Sequence, residues 1–245
     1  MSKLSLKLKL FIFLIVFLLY TSLLEGAYSS LLKVLVAILA SVLVDDIFYF
    51  LRNKKHKITE SSLITGIICG FVLSNGLAWW IFALAGMLAT LSKHLIRFKE
   101  KHIFNPAALG ILLTMFFLSA YTQWKGAYTW YILVPVGLYF IIKIKRLAIV
   151  VTYYLTYSII FIFKGNPVLD TILYANYFFM LVMLIEPKTT PIKLKEQIIF
   201  GLLAAIVSAI LYALQVTYDP ELLALLIVNL LFFLVFTLKL RKKGE

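Results

Sequence analysis

The sequence predicts an all-α polytopic membrane protein of about ten transmembrane helices in an inverted 5+5 repeat. Three observations carry that expectation. Of the 245 residues, 63% are hydrophobic and only 14% charged, against about 45–50% and about 25% in soluble domains. The apolar residues fall in continuous runs that do not alternate, which excludes a β-barrel. The runs are joined by short basic stretches, so no soluble domain remains and 1–245 reads as a single integral membrane domain.

A spanning helix needs about 20 apolar residues. The first candidate covers 10–24, behind Lys3, Lys7 and Lys9, and the second covers 31–51. The third, 62–74, is short and stops at Leu73-Ser74-Asn75-Gly76. The fourth, 79–96, opens on Trp79-Trp80 and closes on Lys93-His94. The fifth, 105–121, opens on Phe104-Asn105-Pro106. Lys143, Lys145 and Arg146 divide the sixth, 128–142, from the seventh, 147–163. The eighth, 171–185, is again short and stops at Ile185-Glu186-Pro187. The ninth, 197–214, holds Gly201, and the tenth, 221–238, follows Tyr218-Asp219-Pro220. The first run could also be read as a signal peptide, but keeping it preserves the repeat.

Charge supports this count. Cytoplasmic loops of membrane proteins carry the excess of Lys and Arg. With both termini cytoplasmic, all but Lys33, Lys125 and Lys164 of the 24 basic residues fall inside, and Trp79, Trp80, Trp124 and Trp130 fall at outer helix ends. The expected location is the plasma membrane. Orientation and attraction to anionic lipid account for the net charge of +13, so no nucleic-acid partner is implied.

The repeat shows in pairs at a nearly constant offset. Asn105-Pro106 and Asp219-Pro220 each supply a favoured N-cap followed by a favoured first helical residue. Gly86 corresponds to Gly201, and the short third run to the short eighth. The halves are about 1–124 and 125–245. Interrupted segments at matching positions of two halves point to a site at the midplane.

The catalytic inventory is thin. There is no CxxC, HExxH, Walker loop or GxGxxG, no metal site and no catalytic residue is indicated, and the single cysteine, Cys69, reads as packing. His56, His94 and His102 all lie on cytoplasmic stretches, which disfavours a haem held between helices. Acidic residues at membrane depth are functional candidates. Asp45 and Asp46 could serve ion coupling or pair with Arg52 and the lysines beyond it. Glu186, ending a short helix before Pro187, could join freed carbonyls in binding a cation, or stand solvated beside Lys188. Lys93 could complement the end of its helix or, with the amides at the start of the fifth helix around Asn105 to Ala108, contact a phosphate or flavin.

These residues come in a familiar order. Ser61 to Gly66, Leu73 to Trp80, Ser92-Lys93-His94 and Phe104-Asn105-Pro106-Ala107-Ala108-Leu109-Gly110, followed by Phe178-Phe179-Met180, Glu186-Pro187-Lys188-Thr189-Thr190-Pro191 and Phe200-Gly201, resemble one family. It is the family of RnfD, from the Rnf electron-transport complex, and NqrB, from the sodium-translocating NADH:quinone reductase. The resemblance covers roughly 60–212, and where the family pattern usually has Asp this chain has Glu186.

The resemblance implies a ten-helix, inverted-repeat fold like that of urea-type channels, carrying flavin within a redox-driven, ion-translocating electron transport complex. Other membrane subunits and soluble redox subunits would be its partners. Lys93, Asn105, Pro106, Ala107, Thr189 and Thr190 become candidate flavin contacts, and Glu186, Asp45 and Asp46 candidate ion-coupling residues. Family members esterify FMN to a threonine in an S-G-A-T-like motif between the fifth and sixth helices. Here that connection is Tyr121 to Ala127, with Thr122 and Thr129 near it and no such motif. Covalent FMN is therefore not expected, and FMN or riboflavin is either held non-covalently or lost altogether. The alternative is a channel or transporter for a small solute or cation without redox chemistry.

Overall fold

The computed structural model describes residues 4–98, 101–127 and 129–242, the side chains of 236–242 excepted. Lys3, Lys99 and Lys243 lie outside the described residues, as do the side chains of Lys239, Arg241 and Lys242. Among the described residues the regular elements are helices apart from one short ribbon.

Two compact units divide the chain. The first comprises Met1–Arg97 and Pro106–Gly126, the second Phe98–Asn105 and Ala127–Glu245. The first holds α1 (Leu6–Leu24), α2 (Ser29–Asn53), α3 (Glu60–Val72), α4 (Trp79–Leu95) and α5 (Pro106–Leu118). Between α4 and α5 runs the ribbon of β1 (Arg97–Phe98) and β2 (Lys101–His102). The second holds α6 (Trp130–Ile144), α7 (Leu147–Phe163), α8 (Val168–Leu173), a π-helical turn (Phe179–Met183), α9 (Leu194–Ala213) and α10 (Pro220–Lys242).

The helices α1, α2 and α9 are long and apolar enough to cross a bilayer, and α3, α5, α6, α7 and Pro220–Val235 are shorter apolar helices. The outward face of α2 shows what solvent it meets. Leu32, Leu35, Leu39, Leu43 and Ile47 recur at helical spacing and are all exposed. In water such a stripe would be a liability; against acyl chains it needs no cover. This is an all-α membrane-integral protein.

Lipid offers no hydrophobic drive between helices, so small residues and buried hydroxyls hold them together. In the first unit α2 is the hub. A Cβ on Gly66 of α3 would lie 2.5 Å from Ile38 Cα, and one on Gly86 of α4 would overlap Ala37 O. Ser41 Oγ donates to Ser62 O at 2.8 Å and hydrogen-bonds Thr90 Oγ1 at 2.7 Å, tying α2 to α3 and α4. Gly110 of α5 presses on Ala85 and Ala89 of α4. In the second unit Gly201 of α9 lies against Ile149 O of α7, and Phe200 meets Phe232 of α10 edge-on at 5.1 Å.

The eighth run differs from expectation. It is not one helix over 171–185. It breaks into α8 and the π-turn, because Asn176 Oδ1 captures Phe179 N at 3.0 Å, the kind of local capture with which Asn competes with helix continuation.

Candidate functional site

Both interrupted segments pose the same problem, which is what satisfies the backbone where the helix stops. At the end of α3 the answer is a tripeptide. Gln123 N and Trp124 N donate to Val72 O, Lys125 N donates to Phe71 O, and Lys125 Nζ donates to Gly70 O at 2.6 Å and Leu73 O at 2.5 Å. An isolated antiparallel bridge, Leu73 to Thr122, completes the seam. A cation at a helix C-terminus also suits the dipole. Lys33 Nζ donates to Asn75 O at 2.5 Å and Lys164 Nζ to Ala209 O at 3.3 Å. The three lysines that the charge pattern leaves outside are thus all bound to backbone carbonyls.

In the second unit two asparagines bracket the π-turn. Asn176 holds its first turn, and Asn105 Nδ2 donates to Met183 O at 3.0 Å at its end. Beyond it the chain folds tightly on Glu186 O, which accepts from Thr189 N, Thr190 N, Thr189 Oγ1 and Thr190 Oγ1. Glu186 itself is half-buried. Two of the carbonyls that the broken helix exposes here, those of Met183 and Glu186, are therefore engaged by the protein's own donors. Thr190 Oγ1 also accepts from Arg146 Nε at 2.9 Å. Burial lowers the Arg146 guanidinium from its ordinary value, though arginine stays charged in proteins.

Next to this turn lies a cavity of about 250 Å³. Phe98, Phe232 and Phe233 give it aromatic walls, Lys101, Lys188 and Lys193 a basic rim, and Thr189, Thr190 and Asn229 polar edges. Asn229 is 1% exposed; its Oδ1 accepts from Asn105 N at 3.0 Å while its Nδ2 has no hydrogen-bond partner among the described residues. A second cavity, of about 200 Å³, is lined by Tyr157, Phe161, Asn166, Asp170, Thr171 and Tyr174.

The remaining candidates fall elsewhere. Lys93 is buried in the first unit, where its Nζ donates to Ser61 O at 2.8 Å. Pro106 and Ala107 are buried in the first turn of α5. Asp45 accepts from Thr59 Oγ1 at 2.5 Å and lies 2.8 Å from His94 Nε2, while Asp46 accepts from Lys57 N at 2.8 Å and lies 2.7 Å from His56 Nδ1. Their partners are thus histidines, a threonine hydroxyl and a backbone amide, while Arg52 sits over the Phe48 ring. Glu221 and Asn229 on α10, and Asn176, are residues that sequence reasoning did not single out.

A family model, NQR2, RnfD, RnfE, matches residues 4–132. This chain belongs to the NQR2, RnfD, RnfE family. The match takes in the Phe104–Gly110 stretch and ends before Glu186–Pro191. No curated protein matches the chain. As a member of the NQR2, RnfD, RnfE family it is a membrane subunit of an electron transport complex, and other membrane subunits are its partners.

Proposed function

We propose that this protein holds FMN or riboflavin non-covalently in the cavity beside Thr189, Thr190 and Asn229, within an ion-translocating complex of the plasma membrane. The observation that carries the reading is Asn229 Nδ2, a buried donor without a partner among the described residues, in the lining of an aromatic, lysine-rimmed cavity. At about 250 Å³ the cavity is near the lower bound, roughly 300 Å³, for ligand pockets. It suits a ring system whose polar tail reaches the rim.

The residues fit that group. Phe98 and Phe233 would pack on the ring, Asn229 would donate to a ring acceptor, and Lys188 and Lys193 would meet a phosphate. Bound flavin supplies electron transfer in one- or two-electron steps. Asn105 fixes Asn229 through its backbone amide, and the Thr189–Thr190 turn holds the wall in place. Non-covalent retention is supported by the connection after α5, where Thr122 pairs with Leu73 and Thr129 is buried.

The frame is ten spans in an inverted 5+5 repeat, both termini cytoplasmic. Support comes from the matching pairs α4 on α2 through Gly86 and α9 on α7 through Gly201, and from interrupted segments at α3 and at the π-turn. Asp45, Asp46 and Glu186 remain candidates for ion coupling at the basic side. Flavin content of the purified protein tests the site. Asn229→Leu should lower it severalfold while Leu39→Ala leaves it unchanged; equal content would remove the assignment.

The cavity at Asp170 favours a second reading, a path for a small cation along the interrupted segment without redox chemistry. Conductance of vesicles holding the flavin-free chain separates the two.

A further inference from the structure

One carboxylate stands apart from the candidates so far. Glu221 lies in the first turn of α10, 3% exposed. Its Oε2 accepts from Asn176 Nδ2 at 2.5 Å and its Oε1 from Tyr153 OH at 3.3 Å. Among the described residues it has no cationic partner. The ionisable groups around it are Tyr153 and Tyr157 of α7, Tyr212 of α9 and Asp219 just before it, with Asn176 from the connection before the π-turn. A buried carboxylate without a counter-charge is stable only if it takes up a proton or a cation.

We propose that Glu221 is a proton-binding site, loaded from the cavity lined by Tyr157 and Asp170. The surrounding chemistry favours a proton over a metal cation. A hard metal cation needs a shell of about six oxygens. Here Asn176 turns its NH₂ toward Glu221, because its Oδ1 is held by Phe179 N. Asp219 Oδ1 is likewise occupied by Glu221 N and Leu222 N. The hydroxyl of Tyr153 can rotate, donating to the carboxylate or accepting from the carboxylic acid. A proton therefore meets partners in both states, while a metal ion meets too few oxygens.

The route is short. Tyr157 and Ala175 both line the cavity, and Ala175 immediately precedes Asn176. Loading takes a proton from water in the cavity and forms one O–H bond on Glu221; unloading returns it to water. The site rests on the ion-translocating reading only for its purpose, since binding can be measured without turnover.

The test is infrared titration of the full chain in lipid vesicles. At neutral pH a protonated-carboxyl C=O band should be present, absent in Glu221→Gln and retained in Glu186→Gln. It should fade as pH rises. Tyr153→Phe, which removes a donor to the ionised form, should move that loss upward by about one pH unit or less. A carboxyl ionised throughout the titration would overturn the site, and so would a band abolished by sodium at fixed pH, which would mean an alkali cation is bound instead. Failure of flavin binding would leave the band in place, so the two readings fail separately.

Discussion

Gly86 of α4 lies so close to Ala37 O of α2 that a Cβ would overlap it, and Gly201 of α9 stands in the same relation to Ile149 O of α7. The closeness is possible only because glycine carries no side chain. One such contact lies in each unit, as the proposed repeat would have it.

Gly86→Val and Gly201→Val should each destabilise the protein by at least about 1–3 kcal/mol, the usual cost of overpacking. Thermal unfolding in detergent followed by circular dichroism measures this. Leu39→Ala, on the exposed stripe of α2, should change little. Equal tolerance at all three positions would mean that these crossings are not tight.

Lys125→Met should leave the Gly70 and Leu73 carbonyls at the end of α3 without their donor, at about 1–3 kcal/mol for each group left unsatisfied. Lys54→Met, an exposed lysine at the end of α2, is the control. Equal melting temperatures in the two variants would show that Lys125 is not needed as a cap.

Orientation is open to direct labelling. The only cysteine, Cys69, is buried, so new thiols stand out. Ile58→Cys and Asn166→Cys are both at exposed positions. An impermeant thiol reagent added to intact cells should label the second and spare the first. The reverse pattern would invert the topology.

Much of this was legible because hydropathy and charge act through the same solvent that folds the chain. The helix starts at Pro106 and Pro220, the close-packed glycines and the early end of α3 all follow from residues visible in sequence. What hid the rest is long range. Asn176 looks like any turn residue until its Oδ1 is seen holding Phe179 N and its Nδ2 reaching Glu221. Glu221, just after Pro220, reads as an acidic first turn complementing a helix dipole, and taking its segment to begin there made it a boundary group. Glu186 drew attention by standing before a proline, yet its carbonyl is filled by Thr189 and Thr190. Asn229 is one polar residue in an apolar run, and its role depends on Asn105, far away in the chain.

The most direct measurement is the visible absorption spectrum of the detergent-purified protein with whatever subunits accompany it, repeated on the fractions after acid precipitation. Flavin bands in the native sample that pass into the acid supernatant are the predicted result. A colourless preparation, alone and with its partners, would contradict the flavin site, and colour retained in the pellet would contradict its non-covalent attachment.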